Sequence, residues 1–254
     1  MINKEALKRT YSIVRALGLD PLLLRNPLKI PAFIADTYRW TKGGGHVDSL
    51  YVCLEDKGKP AGHVPKHYFR QDIHVARKIF EAKPPRHIDI GSRIDGFVAH
   101  LACFREVELW DFRSVDLGVP YIKTQQKDLT RVGQDFRNTA DSVSCLHVLE
   151  HIGLGRYGDT IDPDGHIKAF RNLVDLIKPD GTLYVSFPVS TSPRIEFNAH
   201  RVFGLSDILA WDDRIRIESF AVIDDQETLH ENLPPSADLG PIYYGCGIYV
   251  VKKK

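Results

Sequence analysis

The feature that most constrains this chain is a change of rhythm at about residue 66, after which short apolar runs alternate with helical periodicity. Tyr68 to Ala82 places Ile73, Ala76, Ile79 and Phe80 on one helical face and is stopped by Pro84-Pro85. Short apolar runs follow at His87 to Ile90, Val107 to Phe112, near Tyr121 to Lys123, Ser142 to Leu149 and Thr182 to Phe187. Helical patterns lie between them at Gly96 to Phe104 and His166 to Ile177, the latter ended by Lys178-Pro179-Asp180-Gly181, and a short helix is expected at Leu205 to Trp211. Two last strand candidates, Arg216 to Val222 and Tyr243 to Val251, are separated by polar, Pro-rich chain with no room for a packed helix. Strands joined that way pair antiparallel. The spacing therefore predicts an open, mostly parallel α/β sheet of seven strands, with helices on both faces and a closing antiparallel hairpin.

Residues 1–65 read as an N-terminal extension and 66–254 as the main domain. In the extension Ala6, Leu7, Tyr11, Val14 and Leu17 recur at helical spacing, with Lys4, Lys8 and Arg15 on other faces. A helix packing that stripe on the main domain is expected, with a membrane-surface helix as the alternative. Pro21, Pro27 and Pro31 divide the next stretch into short apolar pieces, and Gly43 to Gly45 punctuate it.

Of 254 residues, 34 are Lys or Arg and 33 Asp or Glu, a net charge of +1 that excludes a polybasic nucleic-acid binder. Apolar residues at 43% and charged residues at 26% exclude wholesale disorder. No stretch approaches the roughly 18 apolar residues of a membrane-spanning helix, and the charged first residues lack a signal-peptide pattern. Cys53, Cys103, Cys145 and Cys246 form no CxxC pair, which fits a reducing compartment, and a cytoplasmic protein is expected.

In an open parallel sheet, ligands bind beyond the carboxyl ends of the strands. The first strand ends in Asp89-Ile90-Gly91-Ser92-Arg93-Ile94-Asp95-Gly96, where Gly91 permits a tight turn and close backbone approach. The second ends at Asp111, 22 residues beyond Asp89, the spacing at which a carboxylate grips a ribose diol. The third is followed by Lys127-Asp128-Leu129 and the fourth by His147-Val148-Leu149-Glu150-His151.

Together with the Leu-x-Lys-Pro-x-Gly-x-Leu connector, this order of strand ends resembles the class I S-adenosylmethionine-dependent methyltransferases, closest to the small-molecule type whose fourth strand ends in L-E-H. The resemblance spans about residues 66 to 251 and implies a Rossmann-like fold with S-adenosylmethionine as cofactor. It implies that Asp89 and Gly91 border the methionine part, that Asp111 accepts from the ribose hydroxyls, and that Asp128 and the Leu129 N–H hold the adenine. His147 would lie beside the cofactor and Glu150-His151 would face the substrate. The family's glycine loop reads D-x-G-x-G-x-G, whereas Arg93 and Asp95 stand at its second and third glycine positions. Arg93 would crowd the cofactor or pair with its carboxylate, and Gly96 would partly restore the turn.

Other readings compete for the same residues. His147 to His151 spells H-x-x-E-H, the inverted zinc-protease motif, but that motif needs a helix and this segment reads as a strand end, so no metal is expected. A dinucleotide-binding dehydrogenase would need G-x-G-x-x-G in the first turn. Asp159, Asp162 and Asp164 in Gly153 to His166 lack the spacing of a calcium loop. That segment is expected either to cap the next helix or to overhang the substrate, bringing Arg156 and Asp159 toward it. Arg194, Glu196, Asn198, His200 and Arg201 offer partners for a hydroxylated or anionic acceptor.

For methyl transfer to a hydroxyl, His151 is the expected general base, with His200 and His166 in reserve. The acceptor is expected to be a small hydroxylated molecule or glycan precursor, because the chain is similar to methyltransferase-like proteins of polysaccharide biosynthesis. No nucleic-acid partner is expected, since no basic stripe is interleaved with aromatics. A homodimer remains open. The alternatives are a methyltransferase-fold scaffold without catalysis, motivated by Arg93 and Asp95, and a dinucleotide-dependent sugar-modifying enzyme.

Overall fold

The computed structural model describes residues 10–11, 13–20, 26–57, 64 and 66–254. The chain forms two compact units, Met1–His63 and Val64–Lys254. In the first, residues 13–16 are helical, while Lys4, Ala6, Leu7, Lys8 and Pro21 lie outside the described residues. Helix α1 (Ile30–Lys42) starts with Pro31 in its first turn, where a missing N–H costs nothing, and ends at Gly43. Asp36 on it binds Arg39 and Lys57, and the Trp40 indole donates to the His46 carbonyl at 3.0 Å.

The second unit begins with helix α2 (Lys66–Ala82). The strands are β1 (His87–Ile90), β2 (Val107–Asp111), β3 (Ile122–Gln126), β4 (Ala140–Leu146), β5 (Ile177–Val189), β6 (Arg194–Glu196), β7 (His200–Val202), β8 (Ile215–Ile223), β9 (Leu229–His230) and β10 (Gly245–Lys253). Helix α3 (Ala99–Ala102), entered through a π-helical turn at Ile94–Val98, follows β1, and α4 (Gly165–Leu176) precedes β5.

Eight strands make one sheet in the order β3-β2-β1-β4-β5-β10-β8-β9, with β1 to β5 parallel and β10 antiparallel to both neighbours. The expected closing hairpin is present, and the two-residue β9 adds an eighth strand at the edge. The parallel strands alternate with crossovers, so apolar side chains must be covered on both faces. On one face α4 buries Ala169, Phe170, Leu173 and Val174 against Phe187 and Trp211. On the other, Val75, Ala76 and Ile79 of α2 pack with Phe97, Val98 and Leu101. Each of the larger side chains contributes about 1.5–3 kcal/mol by leaving water.

Several bounds shift by one or two residues, and four differences from the sequence expectation are larger or bear on the site. β4 ends at Leu146 rather than Leu149, because His147 turns into the left-handed region (φ 56°) and leaves the ladder. β5 begins at Ile177 rather than Thr182, with Lys178 to Gly181 forming an irregularity in its pairing with β4. The third strand runs to Gln126, beyond Lys123. Residues 194–202, read as loop, form the β6–β7 hairpin, turned by Asn198 at φ 64°.

Candidate active site

The floor of the site is a buried polar network joining β1 to β4. The Asp89 carboxylate is wholly enclosed and accepts from Ser92 Oγ at 2.7 Å, Ser144 Oγ at 2.6 Å and the Ser92 N–H at 3.2 Å. Since the Ser144 proton goes to Asp89, Ser144 Oγ must accept from His87 Nε2 at 3.0 Å. His87 Nδ1 then accepts from Ser142 at 2.6 Å. Burial holds His87 neutral, with its pKa down at about 3, and lifts Asp89 to about 6 against the pull of its hydroxyl partners. Ser92 Oγ also accepts from the Leu146 N–H, which ties the turn after β1 to the end of β4.

Above this floor, at the carboxyl ends of β1 to β4, a cavity of about 340 Å³ opens. Its size is that of a small-molecule site. Gly91 borders it at φ +65°, and a Cβ there would press on Val148 at 3.1 Å. Trp110, Phe112, Leu129 and Ile152 supply apolar wall. Asp111 and Asp128 bring two carboxylates to one side. Asp111 Oδ1 accepts from the Arg113 N–H (2.8 Å) and Nε (3.1 Å), and Oδ2 from Arg113 Nη2 (3.2 Å). Asp128 caps the short turn Leu129–Arg131 by accepting from the N–H and hydroxyl of Thr130 through Oδ1.

The other side of the cavity carries His147 and His151. His147 Nδ1 lies 2.8 Å from Glu150 Oε1, which is 3.8 Å from His151 Nε2. Glu150 is only 1% exposed, and burial raises its pKa to about 7 despite the attraction of His151. Burial pushes His147 down to about 3, so its ring is neutral. Tyr68 and Tyr244 close over this group, with Tyr68 4.6 Å from the His147 ring and Tyr244 5.4 Å from that of His200. Burial and the Glu150 charge lift Tyr68 to about 12, so it is a phenol, not a phenolate. Among the described residues, His147 Nε2 and Glu150 Oε2 are buried without a hydrogen-bond partner. Of these two residues His147 lines the cavity, so its Nε2 is the atom that a ligand's polar group would satisfy.

His151 is set up for proton transfer. Its Nδ1 is 2.7 Å from the Ala199 carbonyl, which can only accept, so Nδ1 carries the proton and Nε2 presents a lone pair. Burial lowers its pKa, partly offset by Glu150. The turn that carries Glu150 and His151 is held by Arg201, whose N–H donates to the Glu150 carbonyl at 2.9 Å. The buried Arg201 guanidinium donates to the carbonyls of Ile152 at 2.7 Å and Pro163 at 3.2 Å. Asp159 fastens the same loop by accepting from the Gly153 and Gly155 N–H groups.

Solved structures share this architecture. The N-methyltransferase NodS from Bradyrhizobium japonicum WM9, in complex with S-adenosylhomocysteine, superposes with a TM-score of 0.50 at 13% identity, covering 72% of this chain and 85% of that one. A Galdieria sulphuraria protein assigned as a sarcosine dimethylglycine methyltransferase gives 0.51 at 11% identity, covering 73% and 86%. The fold is that of the class I S-adenosylmethionine-dependent methyltransferases. The family described as "Caenorhabditis protein of unknown function, DUF268" matches residues 121–210, from β3 through the turn after β7. No curated protein matches the sequence.

Against this methyltransferase fold, the expected site residues divide. Gly91, Asp111, Asp128, Leu129, His147, His151 and Asp159 meet at one cavity. Glu150 stands behind the two histidines. Asp89 lies beneath the cavity, in the network with Ser92 and Ser144. Arg93, expected to crowd or pair with the cofactor, is instead bound to Asp95 at 2.9 Å and rests over Tyr68, away from the cavity lining. Gly96 likewise stays outside it; a Cβ there would lie 2.5 Å from the buried Asp72 Oδ2, so its smallness serves the packing of α2.

His200 is a neighbour of His151, with rings 6.3 Å apart, and its Nε2 is 3.3 Å from Glu196. His166 packs between Phe203 and Trp211 in the aromatic core and does not line the cavity. Arg194 is committed to Glu196 and the Tyr243 carbonyl, and Asn198 turns an exposed hairpin. Arg201 spends its donors on backbone carbonyls. Arg156 reaches the site, donating to the Ala199 carbonyl at 3.2 Å. His147 to His151 form a turn rather than a helix, and among the described residues no cluster of three His, Cys, Asp or Glu side chains suits a metal. Sequence reasoning missed His67, stacked on His147 at 4.8 Å, and Arg113 and Tyr157 at the cavity. Only Arg113, two residues past a strand-end aspartate, left any local signal.

Proposed function

We propose that this protein is an S-adenosylmethionine-dependent methyltransferase acting on a hydroxyl of a small acceptor, a sugar or glycan precursor. The observation that carries the reading is one cavity lined by two strand-end carboxylates and by His147 and His151, with Glu150 behind the two histidines. In this reading Asp111 accepts from the ribose hydroxyls, Asp128 and the Leu129 N–H hold the adenine, and Gly91 lets the backbone approach the methionine part. The orphaned Nε2 of His147 fits a ligand that brings its own polar group.

S-Adenosylmethionine supplies the electrophilic methyl group. The chain's task is to align the acceptor, exclude water and take a proton. His151 Nε2 accepts the hydroxyl proton, and Glu150, 3.8 Å away, steadies the imidazolium that results. Apolar wall and buried histidines keep the site poor in water, which strengthens that pairing. Four free, widely spaced cysteines support a reducing, cytoplasmic setting. No helix among the described residues is long and apolar enough to cross a membrane. Residues 1–65 are proposed as an extension to the catalytic domain.

The test is calorimetric titration with S-adenosylmethionine and S-adenosylhomocysteine, with an Asp111→Ala variant and NAD as controls. Micromolar binding of both sulfur compounds, abolished by the variant and absent for NAD, is expected. Binding of NAD alone would turn the reading to a dinucleotide enzyme, and binding of none to a scaffold.

A further inference from the structure

The Asp111 carboxylate cannot serve the whole Arg113 fork and a ribose diol gripped by both of its oxygens together. A carboxylate offers about four acceptor positions, two on each oxygen. The Arg113 N–H fixes one on Oδ1, and the guanidinium fork takes one more on each oxygen, through Nε at 3.1 Å and Nη2 at 3.2 Å. A diol gripped by both oxygens needs the remaining place on Oδ1, which is the one Nε holds. The fork must therefore open.

Arg113 already leans on the next station. Its guanidinium carbon lies 4.9 Å from the centroid of the Tyr157 ring, and that of Arg156 lies 5.1 Å from the same ring. Tyr157 lines the cavity, and the His151 ring stands edge-on to it at 5.6 Å. Arg156, beside the cavity lining, donates to the Ala199 carbonyl at 3.2 Å with its Nη1 3.5 Å from His151 Nδ1, and no carboxylate lies within salt-bridge distance of it among the described residues. Its charge is felt by Glu150, His151 and His200. A guanidinium without an acidic partner, beside a second one that is displaced from its own, forms a fork for an oxyanion.

Building on the cofactor reading above, we propose that Arg113 is a cofactor-released arm. The ribose diol takes Asp111 from it, and Arg113 then joins Arg156 across Tyr157 to hold an anionic group of the acceptor. The acceptor is thereby narrowed to one that carries a carboxylate or phosphate near the hydroxyl facing His151, and it binds after the cofactor. Arg113 is a specificity residue for the acceptor and a competitor for the cofactor.

The experiment is calorimetry on the full chain, as wild type, Arg113→Ala and Arg156→Ala. S-adenosylhomocysteine is titrated first. Glucuronate, glucose 1-phosphate and glucose are then titrated with and without saturating S-adenosylhomocysteine. Arg113→Ala is expected to bind S-adenosylhomocysteine several-fold more tightly than wild type, and Arg156→Ala equally tightly. One of the two anionic sugars is expected to bind at least tenfold more tightly than glucose, only to the S-adenosylhomocysteine complex, and in neither variant. Which anionic sugar binds distinguishes carboxylate from phosphate. Equal or weaker S-adenosylhomocysteine binding by Arg113→Ala overturns the arm, as does anion binding that ignores S-adenosylhomocysteine, and the cofactor reading survives either result. Failure of wild type to bind S-adenosylhomocysteine overturns both.

Discussion

His151 donates its Nδ1–H to the Ala199 carbonyl at 2.7 Å, so the ring nitrogen that lies 3.8 Å from Glu150 is the basic one. Ala199 lies in the β6–β7 turn, and the tautomer of the base is therefore set by a hairpin distant in sequence. Replacing His151 with Ala is expected to lower methyl transfer by about 10²–10⁴-fold. S-adenosylhomocysteine affinity should change by less than about threefold, because no cofactor contact is assigned to the ring. Transfer of labelled methyl to the acceptor, read beside calorimetry, checks both halves. Full turnover would remove His151 from the reaction.

The pH response of Glu150 has a definite sign. Its pKa is raised to about 7 in the folded chain, above the ordinary glutamate value, so the native state binds the proton more tightly than the unfolded one. Its contribution to stability is present below the unfolded value and is lost as pH rises through about 7. Relative to wild type, Glu150→Gln should therefore gain stability between pH 4.5 and 8, by up to about 3 kcal/mol. Urea unfolding at several pH values tests this, and a difference that is flat with pH would contradict it.

His87 and His147 act in the opposite direction. Both are held neutral with pKa values near 3, so the stability they contribute is complete above about 6.5 and is lost as pH falls toward 3. Replacing His87 with Asn should flatten the acid limb of the stability curve. Thermal melts from pH 7 down to pH 4 would show it as a smaller fall in Tm for the variant.

Gly91 sits at φ +65° with Val148 pressed against the place a Cβ would occupy. Gly91→Ala should cost about 1–2 kcal/mol from the left-handed backbone alone. Tightening against Val148 should shift the turn after β1 and weaken S-adenosylhomocysteine binding at least tenfold. Calorimetry with a parallel unfolding curve separates the two effects.

Arg201 is buried and holds carbonyl groups of Glu150, Ile152 and Pro163. Arg201→Ala would strip the guanidinium from the partly buried Ile152 and Pro163 carbonyls and is expected to destabilise the fold by about 1–3 kcal/mol. Limited proteolysis should then cut within residues 150–163 before it cuts elsewhere. An unchanged cleavage pattern would show that Asp159 alone secures the loop.

The alternation of strands and helices was legible because burial on both faces of a sheet leaves apolar runs such as Leu183 to Val185. The meeting of Asp111, Asp128 and His147 at one cavity was legible for a related reason: the carboxyl ends of parallel strands open on the same side of the sheet. What could not be read were conformations decided by a few local angles. His147 looks like strand until its positive φ ends the ladder, and Asn198 gives no sign that Glu196 and His200 pair across a hairpin. The roles of His166 and Arg201 depend on partners distant in sequence or on backbone carbonyls, and neither leaves a motif.

β10 lies between β5 and β8 although it follows both in sequence. As the chain emerges from the ribosome, β5 and β8 can be complete and still have no partner to join them. The parallel half of the sheet can assemble early around β1 and β4, but it ends in a raw edge at Val185 and Phe187 until β10 arrives. Such a delay is a window for misassociation, since an open edge pairs with whatever strand comes first. Insertion of β10 is thus what joins β5 to β8 and leaves only β3 and β9 at the edges.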